Sequence, residues 1–212
     1  MEKTETNSLT AKIFNIIEDK ILVGEYSAGD SLAESKVCGQ LGVSRTPVRE
    51  ALKQLERAGL VAITPNKGAV VVGISEKDIR DIMEVRLRIE GLAANWAAKN
   101  ITDGEIQKLQ EVVDLLEFYI RRDDFNSINE MDSDFHEIIY QASKSKILAN
   151  ILSEFHHYLK KVRYDSMQEE NRRNTVLKEH RQILNALAAH DSLLAEKLAC
   201  EHVQHAAQNI NG

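Results

Sequence analysis

The chain has 212 residues, 43% hydrophobic and 28% charged, with a formal net charge of -6 and only 2 Pro and 10 Gly. That is an ordinary globular balance leaning towards long helices and away from a loop-rich β protein, and the length allows one large domain or two small ones. Nine Lys+Arg offset nine Asp+Glu up to residue 72, so the acidic excess lies wholly beyond that point; broad, non-specific binding of nucleic acid by the chain as a whole is thereby disfavoured.

Residues 8–23 are predicted as a helix, with Ile13, Ile16, Ile17 and Ile21 at helical spacing and Ser8 or Thr10 as the cap. After a loop over 24–30, a second helix is expected over 31–41, with Leu32, Val37 and Leu41 inward and Gly42 ending it. Ser44 then caps a third helix, 45–58, in which Pro47 is tolerated because the first turn has no intrahelical partner for its N–H. Gly59 suits the position just past its end. The hydrophobic period next drops from 3.6 to about 2 over 60–64 and 69–72, separated by Pro65-Asn66-Lys67-Gly68, which is strong turn chemistry. Three helices and a hairpin in this order outline a winged helix-turn-helix. Six further helices are predicted at about 76–99, 102–122, 124–142, 145–165, 170–190 and 191–210, with Ser75, Thr102 and Asp191 as N-caps. Short connections make antiparallel neighbours. The expected architecture is mostly α: a winged helix-turn-helix over 1–73, then an all-α antiparallel bundle over 74–212.

The stretch Gly42-Val43-Ser44-Arg45-Thr46-Pro47-Val48-Arg49 carries the first candidate chemistry. Arg45, Thr46 and Arg49 fall near the start of the third helix, and the two arginines share a face while Val48, Leu52 and Leu55 form the buried stripe. A helix N-terminus favours phosphate, and Arg is the usual bidentate reader of guanine. The competing reading is a solvated basic face with an internal Arg–Glu pair. Lys67 and Gly68 at the wing tip suit a phosphate or minor-groove contact.

All seven His lie beyond residue 135. Asp132 and His136 are four apart, on one helical face, and can share a divalent cation. His180 and His202 lie roughly 10 and 11 residues on either side of a turn near His190-Asp191. At about 1.5 Å per residue they therefore sit at one height in an antiparallel hairpin. The helix bearing Asp132 and His136 can close a three-His, one-Asp site with them; a surface or core imidazole with a hydrogen-bond partner is the bland alternative for each. His156 and His157 face different ways, His190 sits at a helix end, and His205 is a neighbour of the site or nothing. Cys38 and Cys200 read as small buried side chains in a reducing cytosol. Met1 to Thr10 is polar, so no signal peptide is expected, and no apolar run approaches a membrane span.

The segment 32–72, with VSRTPVREAL, LERAGLV and NKGAVV, closely resembles the GntR family of bacterial transcription regulators. The resemblance implies a winged-helix dimer on palindromic operators, with DNA contacts by Arg45, Thr46 and Arg49 and backbone contacts near Ser44 and at Gly68. Val85-Arg86 with Glu90, Asp132-x-x-Phe135-His136, Glu179-His180-Arg181 and His202 resemble the FCD effector domain of the FadR-type branch over about 76–206. This implies a zinc, nickel or manganese ion on Asp132, His136, His180 and His202, with a carboxylate effector completing its coordination. Arg86 is implied as the partner of that carboxylate; an i,i+4 pair with Glu90 is the alternative. Six bundle helices resemble the shorter, VanR-like subgroup rather than the seven-helix FadR-like one.

The function expected is a cytoplasmic, homodimeric DNA-binding regulator, a repressor, that binds double-stranded operator DNA and is gated by a small organic acid at the metal site, with no membrane partner. The rivals are a metal-dependent enzyme with an accessory winged helix, and a regulator whose metal is purely structural. Glu137, the acid nearest His136 in sequence, is turned about 100° away on the helix, so no general base stands beside the ligands.

Overall fold

The computed structural model describes residues 2–64 and 68–210, with side chains from 9 to 64 and from 68 to 209. The chain divides into two compact units, Met1–Glu76 and Lys77–Gly212.

In the first unit, α1 (Glu2–Leu22), α2 (Glu34–Leu41) and α3 (Arg45–Arg57) surround a small sheet of β1 (Ser31–Leu32), β2 (Val61–Thr64) and β3 (Gly68–Val71). The strand order is β1-β3-β2, all antiparallel. The amphipathic period of α3 buries Val48, Ala51, Leu52 and Leu55 against Ile13 and Ile17 of α1, while Ile16 is left exposed. Gly42, at φ +65, ends α2, and Gly59, at φ +75, follows α3; both backbones are left-handed, where a Cβ is costly.

Three expectations for this unit change. Residues 31 and 32 are not helical: Ser31 and Leu32 pair with Val70 and Ala69 on β3, because burying Leu32 on the sheet satisfies its backbone and side chain together, and α2 starts only at Glu34. α1 begins at Glu2, so Thr10 lies inside it and caps nothing. Ser44 holds the N-cap position of α3 with extended backbone, yet its side chain makes no capping hydrogen bond. The turn at 65–67, including Lys67, lies outside the described residues.

The second unit is helical throughout its regular structure: α4 (Glu76–Asn100), α5 (Asp103–Ile120), α6 (Phe125–Ala142), α7 (Lys146–Tyr158), α8 (Lys160–Ser166), α9 (Glu170–Ala188) and α10 (Ser192–Ile210). Thr102 and Glu105 form a reciprocal capping box on α5, and Asp191 accepts from the Leu194 N–H at the start of α10. The core gathers Ala94, Ala97 and Ala98 of α4, Leu109 and Val113 of α5, Phe135 and Ile139 of α6, Ile183 and Leu187 of α9, and Ala195 and Ala199 of α10. Small residues on α4 and α10 let those helices approach closely; a Cβ on Gly91 would lie 2.4 Å from the Cys200 sulfur.

The helix expected over 145–165 is broken at Leu159, which leaves helical backbone (φ -86, ψ 6) to bury its side chain at 1% exposure. Among the described residues the bundle thus has seven helices, not six, and the helix count no longer points to the shorter subgroup. Cys38 and Cys200 are half-buried rather than buried. Among the described residues no helix is long and apolar enough to cross a membrane.

Leu55 is fully buried. Leu55→Ala should cost the N-terminal unit about 2–5 kcal/mol, read as a lower midpoint in urea unfolding followed by circular dichroism.

Candidate functional site

The first candidate site is the exposed start of α3. Ser44, Arg45, Thr46 and Arg49 are all solvent-exposed, whereas Pro47 and Val48 between them are buried. The helix thus presents one polar face outward by its own periodicity. Arg49 is not idle: its Nε and Nη2 donate to the two carboxylate oxygens of Glu34 at the start of α2, at 2.8 and 2.9 Å. The Arg49 side chain is still 55% exposed, so it pairs with Glu34 at the surface rather than packing into the fold. Glu50 pairs instead with Lys53. Gly68 opens β3 at φ +82.

The second candidate site lies inside the bundle. His136 on α6, His180 on α9 and His202 on α10 are buried, and one nitrogen of each lies within 4.8 Å of the others. The hairpin does what the residue arithmetic anticipated: the chain reverses at His190, at φ +52, and His180 meets His202 across it. Asp132, one turn before His136, places Oδ1 3.6 Å from His180 Nε2. Phe135 stacks flat on His180 at 3.9 Å between centroids and fixes that ring's plane.

Two of the three imidazoles are held from behind by carboxylates. His202 Nδ1 is 2.7 Å from Glu179 Oε2, and His136 Nδ1 is 3.3 Å from Glu90 Oε1. Carboxylates only accept, so a proton on each Nδ1 suits both contacts and leaves each Nε2 a lone pair to present. Those Nε2 atoms face each other at 3.2 Å. Two facing lone pairs repel, and a cation between them removes the repulsion. Both nitrogens of His180, wholly buried, have no hydrogen-bond partner among the described residues. Three neutral imidazoles and a carboxylate are also the donor set that zinc and its divalent neighbours prefer. The residues present therefore fit a divalent metal.

The carboxylates are in turn paired with arginines, Arg86 and Arg172 buried and Arg163 half-buried. Arg86 Nε donates to Glu90 at 3.0 Å, Arg172 Nη1 to Glu179 at 3.3 Å, and Arg163 Nη1 to Asp132 Oδ2 at 2.5 Å. Three chains of arginine, carboxylate and imidazole thus converge. Burial alone would raise the Glu90 and Asp132 carboxyls; Arg86 beside the first and Arg163 beside the second hold both below the usual carboxylate range. Burial lowers His156 and His180 well below the ordinary imidazole value, and lowers His202 despite Glu179. Tyr140 donates to Glu90 at 2.5 Å and completes its shell.

Arg86, Arg163 and Arg172 also line one pocket together with Asp132, His136 and His202, over an apolar floor of Met83, Leu159, Val162 and Met167. Arg86 thus forms the i,i+4 pair with Glu90 that was the alternative reading, and it also lines the pocket. Sequence reasoning missed Arg163, Arg172 and His156. Arg172 is seven residues before Glu179, a same-face spacing that signals the pair. Arg163 lay in a helix expected to run straight. His156 was read as bland, yet it is buried, with neither ring nitrogen hydrogen-bonded among the described residues and its Nε2 3.7 Å from Asp132 Oδ2. His205 proves to be a neighbour of the site, with Nδ1 2.6 Å from Glu179 Oε1. His190 contacts the Ala98 carbonyl.

A winged helix with an exposed arginine face, followed by a helical bundle, is the arrangement of a DNA-binding transcription regulator. Comparison with known proteins agrees. Residues 9–71 match the bacterial regulatory proteins of the gntR family and residues 81–205 match the FCD domain. The chain belongs to the gntR family of bacterial regulators, in the FadR-type branch that carries the FCD domain. It is 27% identical to the HTH-type transcriptional repressor RspR of Escherichia coli K12, over 97% of this chain and 90% of that protein. Its fold matches the solved structure of E. coli McbR/YncC with a TM-score of 0.80 at 22% identity, covering 96% and 97% of the two chains. A putative GntR regulator from Rhodococcus sp. RHA1 matches with a TM-score of 0.74 at 24% identity, covering 97% and 98%. The family consists of transcription regulators, so the chain is a DNA-binding regulator and not an enzyme.

The buried imidazoles also set a pH response. An imidazole in the unfolded chain takes a proton near 6.5, while His156 and His180 resist it when folded. The unfolded state then binds more protons as the pH falls below that value, and stability falls with it. Thermal unfolding with a chelator present should show the midpoint of the C-terminal unit dropping between pH 7 and pH 5, and less so in a His156→Leu variant.

Proposed function

We propose that this regulator is a homodimeric repressor of palindromic operators whose DNA affinity is set by a divalent metal and a small organic acid in the bundle. Residues 1–73 bind the DNA and residues 74–212 bind the effector and dimerise. The observation that carries the reading is the sharing of one pocket wall by three arginines and the candidate ligands His136, His202 and Asp132. Arginine forks match carboxylates, and an open metal position takes a carboxylate oxygen, so both ends of an organic acid find partners there.

Asp132, His136, His180 and His202 would hold the ion, with zinc, nickel and manganese as the candidates. Bound there, it supplies an electrophilic point for a carboxylate oxygen. Arg86, joined by Arg172, takes the acid's remaining charge, while Glu90 and Glu179 keep His136 and His202 in the binding tautomer. Phe135 holds the His180 ring and excludes water from its face.

On the DNA side, Arg45 and Arg49 reach base edges in the major groove and Thr46 supports them. Because the Ser44 side chain makes no capping bond, the first N–H groups of α3 are open to a phosphate. Lys67 and Gly68 contact the backbone from the wing. Reading a guanine requires Arg49 to exchange Glu34 for the base; the pair is exposed and therefore weakly held. Val85, Leu92 and Trp96 form an exposed apolar stripe on α4, which supports a second copy as partner. Action in the cytoplasm follows from the role. The effector changes operator affinity to the extent that it binds the free and DNA-bound forms differently.

Operator selection from a random DNA pool, followed by titration, tests this. Arg49→Ala should lose about 1–3 kcal/mol of preference for the guanine it reads, whereas Lys67→Ala should weaken all sequences evenly. Zinc-loaded protein should release its operator on addition of a small carboxylate. Tight zinc binding with operator affinity unmoved across a panel of organic acids would instead leave the metal purely structural.

A further inference from the structure

The three arginines are not equivalent. Arg86 and Arg172 pair with Glu90 and Glu179, which stand behind histidines. Only Arg163 pairs with a candidate ligand itself. Its Nη1 grips Asp132 Oδ2, while Asp132 Oδ1 is turned towards His180 Nε2. One carboxylate oxygen is thereby committed to the guanidinium and the other is left for an ion.

The rest of the guanidinium is loosely held. Nη2 donates to the Ser133 hydroxyl at 3.2 Å and to the His156 carbonyl at 3.4 Å, and the buried Nε has no hydrogen-bond partner among the described residues. Arg163 also faces the pocket shared with Arg86 and Arg172. The break at Leu159 starts the short helix α8, which packs on α6 and α10 and carries this side chain to Asp132.

We infer that Arg163 is the positioning residue of Asp132 and the link through which a carboxylate in the pocket is felt at the metal. The inference rests on the metal reading proposed above. Two consequences follow from the chemistry. Held by Arg163, Asp132 keeps Oδ1 towards His180 in place of swinging away, as an outer hydrogen bond does for any ligand. A carboxylate that engages the unsatisfied side of the guanidinium draws on the same delocalised charge, so Asp132 is polarised less by Arg163 and donates more strongly to the ion. Acid and metal therefore bind cooperatively, and the coupling is reciprocal.

The test uses the full chain, with zinc affinity measured by competition with a chromophoric chelator, and acetate as the acid probe because it chelates zinc weakly. Arg163→Gln should weaken zinc binding by about 10–100-fold, and Arg163→Lys should recover part of that loss by restoring the charge without the fork. Millimolar acetate should tighten zinc binding to the wild-type chain about fivefold or more and leave Arg163→Gln unmoved. Circular dichroism of the metal-free variants verifies folding; if Arg163→Gln does not fold, Arg163→Lys carries the test, with weakened zinc binding and a reduced acetate response expected. Unchanged zinc affinity with an intact acetate response in the folded variant overturns the inference and leaves the metal reading standing. Tighter zinc binding by Arg163→Gln also overturns it, since Arg163 would then compete with the ion. A wild-type chain that binds no zinc overturns both.

Discussion

Everything in the C-terminal unit is arranged around the cost of burying charge. Arg86, Arg163 and Arg172 and the carboxylates Glu90, Asp132 and Glu179 meet inside a bundle whose core is mostly Ala, Leu, Ile and Val. Such a set survives only if each member is paired and hydrogen-bonded, because removing one partner from a buried pair costs about 3–5 kcal/mol. Here each carboxylate is shared between an arginine behind it and an imidazole in front. The same interaction that makes the charges tolerable also orients the histidine rings. Preorganisation of the candidate metal centre is a by-product of solving the burial problem.

That solution leaves an imbalance which gives the site its chemistry. The three arginines and three carboxylates offset one another in charge. On the metal reading, a dication would add positive charge beside the pocket, and an organic anion would complement it. Stability of the unit and the chemistry of its candidate site therefore rest on the same buried groups.

The N-terminal unit works on the opposite principle. Its recognition helix keeps its charges in water, where pairs are weak and exchangeable. The Arg49–Glu34 pair is formed in the free protein, but its exposure allows the partner to be traded. The buried side of α3 supplies rigidity, through Val48, Leu52 and Leu55, and the exposed side supplies contact.

Periodicity, glycine placement and turn chemistry were enough for the three-helix-and-hairpin outline of the first unit and for the order of the bundle helices, since these are local properties. Spacing was also enough to bring Asp132 and His136 onto one face and His180 level with His202, because a hairpin converts sequence distance into height. The sequence by itself could not show that Ser31 and Leu32 join a sheet, because the partner strand lies nearly 40 residues on. It could not show the break at Leu159, where burial of one side chain overrides helical propensity. Nor could it show that Arg163, Arg172 and His156 stand around the same centre. Those placements are decided by packing between helices far apart in the chain, and no local pattern encodes a contact whose two halves meet only after folding.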